Sequence, residues 1–307
     1  MKIMVTGGAG FIGSHVVDAC IAAGHEVAVI DDLSTGKREN VNPQARLHVL
    51  DLCDEAALDA VMAQERPEAI SHQAAKANVR ESMVKPQLYA RVNVLGSLAL
   101  LEAARRHGVR KVVYASTGGA VYGEPRYLPA DEDHPIEPLD PYGASKHFVE
   151  HYLFIYRKHF GLDYTVLRYA NVYGPRQDPM GEAGVVAIWA AQMLKGEPAV
   201  VYGSGEQERD FVYVGDIARA NVLALAQGGG EIINIGSGIG TSINQVFDLL
   251  KASTGYAGER IHVAAKQGEV FRSYITNARA QASLGWQPTV SLQEGLGLTV
   301  AHFRQRA

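Results

Sequence analysis

The sequence has little of what marks several common classes of protein. Its 307 residues include only two cysteines, too few for a disulfide framework or a cysteine-rich metal site. No apolar run reaches the ~18 residues that a membrane-spanning helix requires, and residues 1–6 lead into a structured motif rather than a signal peptide. The formal net charge of -4 offers no positive surface to a nucleic acid or an acidic membrane. We expect a globular protein of the reducing cytoplasm, with no nucleic-acid or membrane partner.

The few cysteines and the eleven histidines also give no reason to expect a metal ion. Cys20 lies on a predicted helix, where a small buried core residue is expected, and Cys53 lies far from it in the chain. His134 and His147, near the predicted active region, are expected to be surface or packing residues rather than acids. We therefore assign no metal.

Short β-branched runs alternate with helix-like stretches along most of the chain. This alternation predicts an α/β fold, a doubly wound parallel sheet of the Rossmann type with helices on both faces. The longest helices are expected at 87–107 and 142–160. We interpret residues 1–171 as a nucleotide-binding domain that regains a segment near 210–240, and residues 172–307 as a smaller mixed α/β domain for the substrate. The predicted strands are 3–6, 26–30, 47–50, 69–73, 111–116, 164–168 and 232–236.

A glycine-rich segment, VTGGAGFIG, follows the first predicted strand and precedes a helix. Gly7, Gly10 and Gly13 permit a tight turn whose backbone N–H groups approach a pyrophosphate, and the helix N-terminus adds a favourable dipole. The next strand ends in Asp31, 18 residues beyond Gly13, close to the spacing expected for a carboxylate on the adenosine ribose. This pattern predicts a dinucleotide site, and a glycine-rich turn without a ligand is the alternative.

The acids after the second strand favour NAD over NADP. Asp31 and Asp32 would repel a 2′-phosphate, and the basic Lys37 and Arg38 come several residues later. Asp51, after the third strand, could reach the adenine amino group or could instead be an ordinary helix N-cap. The remaining residues that we assign to the cofactor site are Phe11, Ile12, Leu52, Gln73, Ala74 and Ala75.

The segment PYGASKHFVE places Tyr142 and Lys146 four residues apart, on one face of a predicted helix. A tyrosine is a poor base at neutral pH because its unperturbed pKa is near ~10. A lysine ammonium one turn away, together with an oxidised nicotinamide ring, would favour the phenolate. A hydroxyl at the tip of the fifth strand, Thr117 or alternatively Ser116, would hold the alcohol of the substrate. These groups together would move a proton and a hydride.

Four separated motifs, TGGAGFIGSH, STGGAVYG, YGASK and LRYANVYGPRQ, resemble the extended short-chain dehydrogenase/reductase family. Within it they are most similar to the UDP-glucose 4-epimerases of the compact bacterial and archaeal kind. The resemblance implies a bound NAD and the catalytic set Thr117, Tyr142 and Lys146. It also implies that Asn93 braces the cofactor-binding loops, unless it is simply a satisfied amide between helices. Tyr169 and Asn171 match positions that face the cofactor and the sugar.

Two glycines follow the hydroxyls and separate this chain from its relatives with other chemistry. In the best-known epimerases the hydroxyl stands where this chain has Gly118, which leaves the role to Thr117 or Ser116. Related sugar 4,6-dehydratases carry an Asp-Glu pair just after the hydroxyl, and related UDP-glucuronate decarboxylases tend to keep a Glu. With Gly118 and Gly119 instead, the resemblance implies epimerisation of a UDP-hexose at the 4-position. The alternatives are a net dehydrogenase or reductase and a non-catalytic NAD-binding scaffold.

The resemblance also assigns residues to the nucleotide part of the substrate. Arg209 matches a diphosphate-binding arginine, and a guanidinium suits phosphate because it binds it bidentately. A surface ion pair of Arg209 with Glu208 or Asp210 is the alternative. Arg272 is a further phosphate candidate, or a solvated surface residue. Tyr202 could stack on the uracil or could be a core aromatic at a strand end.

Two positions near the C-terminus bear on the sugar. Glu269 matches the acid that contacts the uridine ribose. Ser273, four residues on, matches a position beside the sugar 2-substituent, where a small residue admits an N-acetyl group. We therefore expect activity on UDP-N-acetylglucosamine as well as UDP-glucose. A slip of one residue in this match would put Arg272 or Tyr274 beside the sugar and reverse that expectation.

A homodimer is the expected assembly. The two long helices carry an excess of apolar side chains, and the resemblance implies that they pair across a two-fold axis as a four-helix bundle. The alternative is that these side chains pack on the sheet. The side chains in question are Leu98, Leu101, Val149, Leu153 and Phe154.

Overall fold

A parallel sheet of seven strands, called the central sheet below, organises the computed structural model, which describes residues 1–180, 184–265 and 270–305. Each predicted strand is present, with bounds within one residue of the prediction. In chain order the strands of the described residues are β1 (Lys2–Thr6), β2 (Glu26–Asp31), β3 (Arg46–Val49), β4 (Ala69–His72), β5 (Lys111–Thr117), β6 (Asp163–Tyr169), β7 (Asn171–Tyr173), β8 (Val200–Tyr202), β9 (Glu208–Arg209), β10 (Phe211–Tyr213), β11 (Glu231–Ile235), β12 (Thr241–Ser242), β13 (Ile261–Val263) and β14 (Arg272–Ser273).

The central sheet has the strand order β11-β6-β5-β4-β1-β2-β3, with every neighbouring pair parallel. The chain runs outward from β1 to β3, returns to β4 beside β1, and then runs outward to β11. The strand order therefore reverses between β1 and β4, which is the doubly wound arrangement that the sequence predicts. The late strand β11 completes the sheet, so residues 231–235 rejoin the N-terminal part, while the domain bounds themselves stay a prediction.

Helices cover both faces of the central sheet, which explains why its strands are apolar on both sides. In chain order the helices of the described residues are α1 (Phe11–Ala22), α2 (Glu55–Glu65), α3 (Val79–Val84), α4 (Pro86–Tyr89), α5 (Gly96–Arg106), α6 (Pro141–Phe160), α7 (Val185–Leu194), α8 (Val214–Ala224), α9 (Ile243–Thr254), α10 (Ala278–Leu284) and α11 (Leu292–Arg304). Neighbouring residues of a strand alternate between the two cores: Ile3 and Val5 pack with α1 and α8, and Met4 packs with α2, α5 and α6.

The C-terminal residues build a further apolar core beside the carboxyl edge of the central sheet. Helices α7, α9 and α11 pack together around Trp189 and Phe247, whose rings meet edge to face with centroids 5.4 Å apart. Three small sheets accompany them, formed by β7 with β10, by β8 with β13, and by β9 between β12 and β14. These short strands carry the residues expected to bind the nucleotide sugar.

Both predicted long helices are present. The first runs from Pro86 to Arg106, with a π-helical turn at residues 90–95 between α4 and α5. The second is α6, where the Asp140 carboxylate caps the first turn by accepting from Gly143 N at 2.7 Å. Gly161, with φ 72°, ends α6 in the left-handed conformation that glycine adopts readily.

The prediction that these two helices carry an excess of exposed apolar side chains is partly wrong. Leu101, Val149 and Leu153 lie buried in the core with the central sheet, each with at most 1% exposure, so they cannot form a second interface. Leu98 is half-buried, and Phe154 is exposed. The reason is helical periodicity: the leucines and the valine lie on the stripe of each helix that faces the sheet.

Candidate active site

Polar side chains gather where the strands of the central sheet end. Thr6, Asp31, His72, Thr117 and Tyr169 are the last residues of β1, β2, β4, β5 and β6. Ligands of open α/β sheets bind at this carboxyl edge, next to the point where the strand order reverses. That point lies between β1 and β4, so the glycine-rich segment after β1 is placed at the ligand-binding position.

The glycine-rich segment forms a cradle that has no room for side chains. A Cβ atom on Gly13 would lie 2.0 Å from the carbonyl oxygen of Gly7, and one on Gly7 would lie 2.7 Å from Ala74 N. Gly7 also has φ +68°, a conformation that other residues rarely adopt. Gly10, the N-cap of α1, has no side chain to cap the helix, which leaves its first backbone N–H groups open to the predicted pyrophosphate.

Asp31 holds the cradle from the end of β2. Its carboxylate accepts hydrogen bonds from Ala9 N at 2.9 Å and from Leu33 N at 2.8 Å, and the side chain is buried. Burial raises the pKa of Asp31, while these two backbone N–H groups act against the rise. The neighbouring Asp32 instead binds Ser34, away from the cradle. Whether Asp31 and Asp32 also contact the ribose stays a prediction.

Asp51 is not the N-cap of the following helix. Asp54 fills that role by accepting from Ala57 N at 3.1 Å. Asp51 accepts from Cys53 N at 2.9 Å, and its other carboxylate oxygen lies 3.4 Å from Arg91. The carboxylate is therefore free of the helix and half exposed beside the buried Leu52, and its contact with the adenine stays a prediction.

Asn93 is buried in the π-helical turn and braces two segments of the site. Its amide accepts from Lys76 N at 2.8 Å and donates to Lys76 O at 2.9 Å, just after β4. It also donates to the Ser145 hydroxyl on α6 at 2.9 Å. Because a π-turn re-aims the side chains of a helix, it explains how one amide reaches both partners.

A second polar network, absent from the sequence analysis, lies between β4 and β6. The Gln73 amide donates to Ser71 and Asn221, both at 2.9 Å, and accepts from the Tyr169 hydroxyl at 3.3 Å. Asn221 on α8 in turn donates to that hydroxyl at 2.8 Å. The network fixes Gln73 beside the residues 74 and 75 that follow β4, and it occupies the hydroxyl of the buried Tyr169.

The predicted tyrosine and lysine lie on the first turns of α6. Tyr142 is half-buried, and Lys146, one turn later, is only 3% exposed. The Lys146 Nζ lies 4.4 Å from the centroid of the Tyr114 ring on β5. Burial lowers the pKa of Lys146 to about 7, although the Glu150 carboxylate acts to raise it. A lysine in this state changes its charge near neutral pH.

The structure separates the two candidate hydroxyls at the tip of β5. Ser116 faces α6, where its Oγ donates to Glu150 at 2.6 Å in a buried contact. Thr117 faces the opposite side of the sheet, as neighbouring strand residues must. A Cβ atom on the exposed Gly119 would lie 3.9 Å from the Thr117 Oγ1 and 3.7 Å from the Asn171 Oδ1. Thr117 and Asn171 therefore flank the same opening.

The two glycines after Thr117 differ in the space around them. A Cβ atom on Gly118 would lie 2.7 Å from the Ile275 Cδ1, so a larger residue there would displace the end of the Ile275 side chain. Gly119 is exposed and could carry a side chain, since its nearest neighbours lie at ordinary contact distance. At neither position does the chain offer an acid or a base to the opening beside Thr117.

The strand β9 aligns two of the residues expected to bind substrate. Arg209 pairs in register with the buried Ser273 of β14. The Arg209 guanidinium donates to the carbonyl oxygens of Glu208 at 2.8 Å and of Phe271 at 3.3 Å. The next residue, Asp210, is buried, and its carboxylate accepts from the Ser237 hydroxyl at 2.6 Å. These contacts fix β9 beside the carboxyl edge of the central sheet.

The other predicted substrate residues are dispersed around this strand. Arg272 forms an ion pair with the Glu208 carboxylate at 3.4 Å. Tyr202, at the end of β8, is 41% exposed and so is not a core aromatic. Glu269 lies outside the described residues.

Histidine plays a structural part near the site. His134 is buried and accepts from Arg126 N at 2.9 Å, in agreement with the expected packing role. His147 and His151 stand four residues apart, a spacing that the sequence analysis passed over, with their Nε2 atoms 3.1 Å apart. Within residues 1–180, 184–265 and 270–305, no group of three His, Cys, Asp or Glu side chains could hold a metal ion. No helix in those ranges is long and apolar enough to cross a membrane.

A cradle of glycines lies at the reversal of the strand order, where open α/β sheets bind the phosphates of extended ligands, and the buried lysine and its tyrosine stand on a helix at the same edge. This combination defines a dinucleotide-binding enzyme of the Rossmann class. Residues 3–236 match the model of one such family. The chain belongs to the NAD dependent epimerase/dehydratase family.

Solved structures that are similar to this chain include the following three. The UDP-glucose 4-epimerase of Thermotoga maritima, solved with UDP-glucose, shares 49% identity with a TM-score of 0.98 over 100% of this chain and 99% of that one. The UDP-glucose 4-epimerase of Thermus thermophilus, in complex with NAD, shares 47% identity with a TM-score of 0.95 over 100% of both chains. The UDP-N-acetylglucosamine 4-epimerase of Methanobrevibacter ruminantium, in complex with UDP-N-acetylmuramic acid, shares 35% identity with a TM-score of 0.94 over 100% of this chain and 99% of that one.

Proposed function

We propose that this protein is an NAD-dependent epimerase that inverts the 4-carbon of a UDP-hexose and thereby interconverts UDP-glucose and UDP-galactose. The observation that carries the proposal is the position of Tyr142 and the buried Lys146 at the edge that holds the glycine cradle. The opening beside Thr117 has glycine at 118 and 119, so it lacks the acid that elimination of water would need. Oxidation followed by reduction is the chemistry that remains.

The residues of the cradle fit NAD. Gly7 and Gly13 leave room for a pyrophosphate where any Cβ atom would collide with backbone. The carboxylates of Asp31 and Asp32, if they lie beside the adenosine ribose as predicted, would repel a 2′-phosphate, which favours NAD over NADP. When bound, NAD supplies a reversible acceptor for the hydride of the sugar 4-carbon. We infer that Asp51, Asn93 and their neighbours complete this cofactor site.

The proton is moved by the side chains of α6 and β5. The Thr117 hydroxyl forms a hydrogen bond with the 4-hydroxyl of the sugar and holds that hydroxyl against the Tyr142 oxygen. The Tyr142 phenolate removes the 4-hydroxyl proton and later returns it, which is general base and general acid catalysis by one group. Lys146, when charged, stabilises the phenolate because an ammonium one helical turn away favours the anion. The 4-keto sugar formed in between must turn over before it is reduced on its other face.

The turn of the sugar requires a firm hold on the nucleotide. We propose that Arg209 binds the diphosphate, that Tyr202 stacks on the uracil, and that Glu269 contacts the uridine ribose. The fixed position of β9 and the exposed ring of Tyr202 support this assignment. Asn171 would face the sugar from the opening beside Thr117. Arg272, paired with Glu208, is a weaker candidate for a second phosphate ligand.

We also propose that UDP-N-acetylglucosamine is a substrate. Ser273 is small and stands in register with Arg209, so a group beside it would be close to the diphosphate end of the sugar. A serine there leaves room that a tyrosine would fill. The similarity to a UDP-N-acetylglucosamine 4-epimerase supports this breadth.

A homodimer is proposed through the outer faces of the two long helices. The buried Leu101, Val149 and Leu153 do not take part, but Leu95, Phe148 and Phe154 are each at least 47% exposed. Exposed apolar side chains on neighbouring helices are typical of an isologous contact. Sedimentation giving a monomer at micromolar concentration would contradict the dimer.

We propose the reducing cytoplasm as the location of the protein. The thiols of Cys20 and Cys53, which form no disulfide, are consistent with it.

The test is to supply UDP-galactose to the purified protein without any added dinucleotide. We expect UDP-glucose to form at many turnovers per site and bound NAD to be released only on denaturation. Product that forms only in proportion to added NAD would instead identify a net dehydrogenase. An inert protein with bound NAD would identify a scaffold.

A further inference from the structure

A carboxylate that the proposed mechanism does not use is buried one turn beyond Lys146. Glu150 on α6 is 3% exposed and accepts four hydrogen bonds from other elements and from its own helix. Arg168 on β6 donates to both carboxylate oxygens, from Nε at 3.0 Å and from Nη2 at 2.6 Å. Ser116 donates at 2.6 Å, and the His147 Nδ1 lies at 3.0 Å. So many partners fix both the position and the charge of this group.

Glu150 stays ionised although it is buried. Burial raises the pKa of its carboxyl, but the hydrogen bonds from His147, Arg168 and Ser116 outweigh that effect and hold the pKa at about 2. Arg168 is fixed in turn, because its Nη1 donates to the Tyr122 hydroxyl at 3.0 Å. The ionised Glu150 carboxylate therefore lies four residues from Lys146 on the same face of α6, with the Arg168 guanidinium of β6 as its counter-charge.

The other groups that face Lys146 cannot replace this charge. Lys146 faces the ring of Tyr114 on β5, and Tyr142 lies one turn before it on α6. His72 on β4 is bound by Thr6 and Ser97, and burial, with the Lys146 charge, holds the pKa of His72 at about 3, so the imidazole is neutral.

Acids on the helices that pack near α6 are engaged elsewhere. Glu81 on α3 pairs with Lys85 at 2.8 Å, and Glu102 on α5 pairs with Arg105 at 2.8 Å. Among the described residues, the carboxylate that acts on Lys146 is that of Glu150.

We propose that Glu150 is a positioning residue that keeps the Lys146 ammonium charged beside Tyr142, and that Arg168 and Ser116 hold it in place. The inference rests on the proposed function, since the charge of Lys146 matters through the Tyr142 phenolate. It extends the reacting set by a charge that touches neither substrate nor cofactor. It also gives Ser116 a role distinct from that of Thr117.

The first test is a titration that needs no turnover. NMR of the protein with ¹³C-labelled lysine side chains would follow Lys146, whose signal is identified by its loss in Lys146→Arg. In Glu150→Gln the pKa of Lys146 should fall by about one pH unit or more, because a nearby opposite charge is removed. Glu150→Asp, which keeps the charge, should restore most of the difference. An unchanged titration in Glu150→Gln overturns the proposal.

A matched control is available at the other edge of the central sheet. Glu65 is also buried, with an arginine and a histidine on its carboxylate, so Glu65→Gln makes a similar change far from Lys146. It should leave the titration of Lys146 unchanged. If Glu150→Gln does not fold, the double variant Glu150→Gln with Arg168→Met removes the buried pair without leaving an unpaired arginine. It should show a smaller fall in the pKa of Lys146 than Glu150→Gln, because a positive charge is removed together with the carboxylate, and an unchanged or raised pKa there contradicts the proposal.

The second test is the pH dependence of turnover. Lys146 carries its charge only below its pKa, so a lower pKa in Glu150→Gln removes the ammonium at a lower pH. Relative to wild type, kcat of Glu150→Gln should be nearly unchanged near pH 5 and should be about 10-fold lower at pH 8, because one pH unit corresponds to a factor of ten. A loss by the same factor at every pH indicates a merely structural role and overturns the proposal. If wild type itself fails to epimerise without added NAD, the proposed function fails, while the lysine titration still decides the role of Glu150.

Discussion

At the amino ends of β1, β2 and β3, several charged side chains converge on the carboxylate of Glu65, at the end of α2. Arg46 donates to it from Nε at 3.1 Å and from Nη2 at 2.7 Å, and the His48 Nε2 lies at 2.8 Å. Lys2 approaches the same carboxylate to 3.4 Å. Each charge at this edge has an opposite charge within contact distance, and Lys2 and Arg46 also reach solvent.

At the carboxyl ends of the strands, Glu150 is held in the same manner by Arg168 and His147. The lysine is what differs. Lys146 is closed off from solvent, and its Nζ lies over the Tyr114 ring rather than against a carboxylate. At the amino edge, similar side chains stabilise the fold, because each charge there has an opposite charge beside it. At the carboxyl edge, the charge of Lys146 is only partly compensated, which is typical of a functional site.

The largest expected effect is at the carboxyl edge. Tyr142→Phe removes the group that is proposed to accept the proton, so turnover should fall by about 10²–10⁴-fold. The thermal midpoint and the content of bound NAD should stay those of wild type, because the phenyl ring keeps the packing. Activity above about a tenth of wild type, measured on UDP-galactose, would mean that another group is the base.

The converse change is at the amino edge. Glu65→Gln should lower the free energy of unfolding by about 1.5–3 kcal/mol, the usual contribution of hydrogen bonds to a charged group, and leave kcat unchanged. Hydrogen bonds from Arg46, against a smaller opposing effect of burial, lower the pKa of Glu65 to about 2 from an ordinary value of 4.5. A depressed pKa stabilises the fold above about pH 4.5, and the contribution is lost as the pH falls towards 2.

Urea unfolding at two pH values checks this prediction. The difference between wild type and Glu65→Gln should be full at pH 7 and smaller at pH 3. A variant that keeps its stability but loses turnover would reverse the contrast between the two edges.

A smaller effect is expected in the glycine cradle. Gly13→Ala places a methyl group 2.0 Å from the Gly7 carbonyl oxygen, so the loop must shift. NAD should then be held about 10- to 100-fold more weakly, as for other overpacked sites, and the purified variant should lose it on dialysis. Gly297→Ala in α11 is the matched control, since no atom lies within 4 Å of the added methyl group. Full retention of NAD by Gly13→Ala would show that the cradle is not the cofactor site.

The smallest expected effect concerns the breadth of substrates. Ser273→Tyr should lower kcat/KM for UDP-N-acetylglucosamine by about 10-fold relative to UDP-glucose, because one lost group in a pocket is worth about 1–3 kcal/mol. The measurement is the ratio of kcat/KM for the two sugars in wild type and variant. An unchanged ratio, or a wild type inert on the N-acetyl sugar, would remove Ser273 from the pocket.

Local patterns were enough to predict the seven strands of the central sheet, both long helices and the glycine-rich turn after β1. Each of these depends on periodicity or on turn chemistry within about a dozen residues. The caps of α6, Asp140 and Gly161, show the same local logic, since both are specified within a residue of the helix they bound.

What the sequence did not disclose depends on contacts between distant residues. Gly118 was interpreted only as the loss of an acid, whereas it also packs against the side chain of Ile275, far along the chain. Arg168 on β6 and Glu150 on α6 are brought together by the fold. The sequence shows only that Glu150 lies one helical turn after Lys146, and it does not indicate the contact with Arg168. The burial of Leu101 likewise depended on which stripe of its helix meets the sheet.

The central claim is that the hydride removed from the sugar 4-carbon stays on the bound cofactor and is returned to the same carbon. UDP-galactose deuterated at the 4-carbon, supplied to the purified protein together with unlabelled free NADH, tests it directly. The account predicts that essentially all of the UDP-glucose formed carries deuterium at the 4-carbon, measured by mass spectrometry and proton NMR. Product with hydrogen at that carbon, taken from the free NADH, would contradict the account.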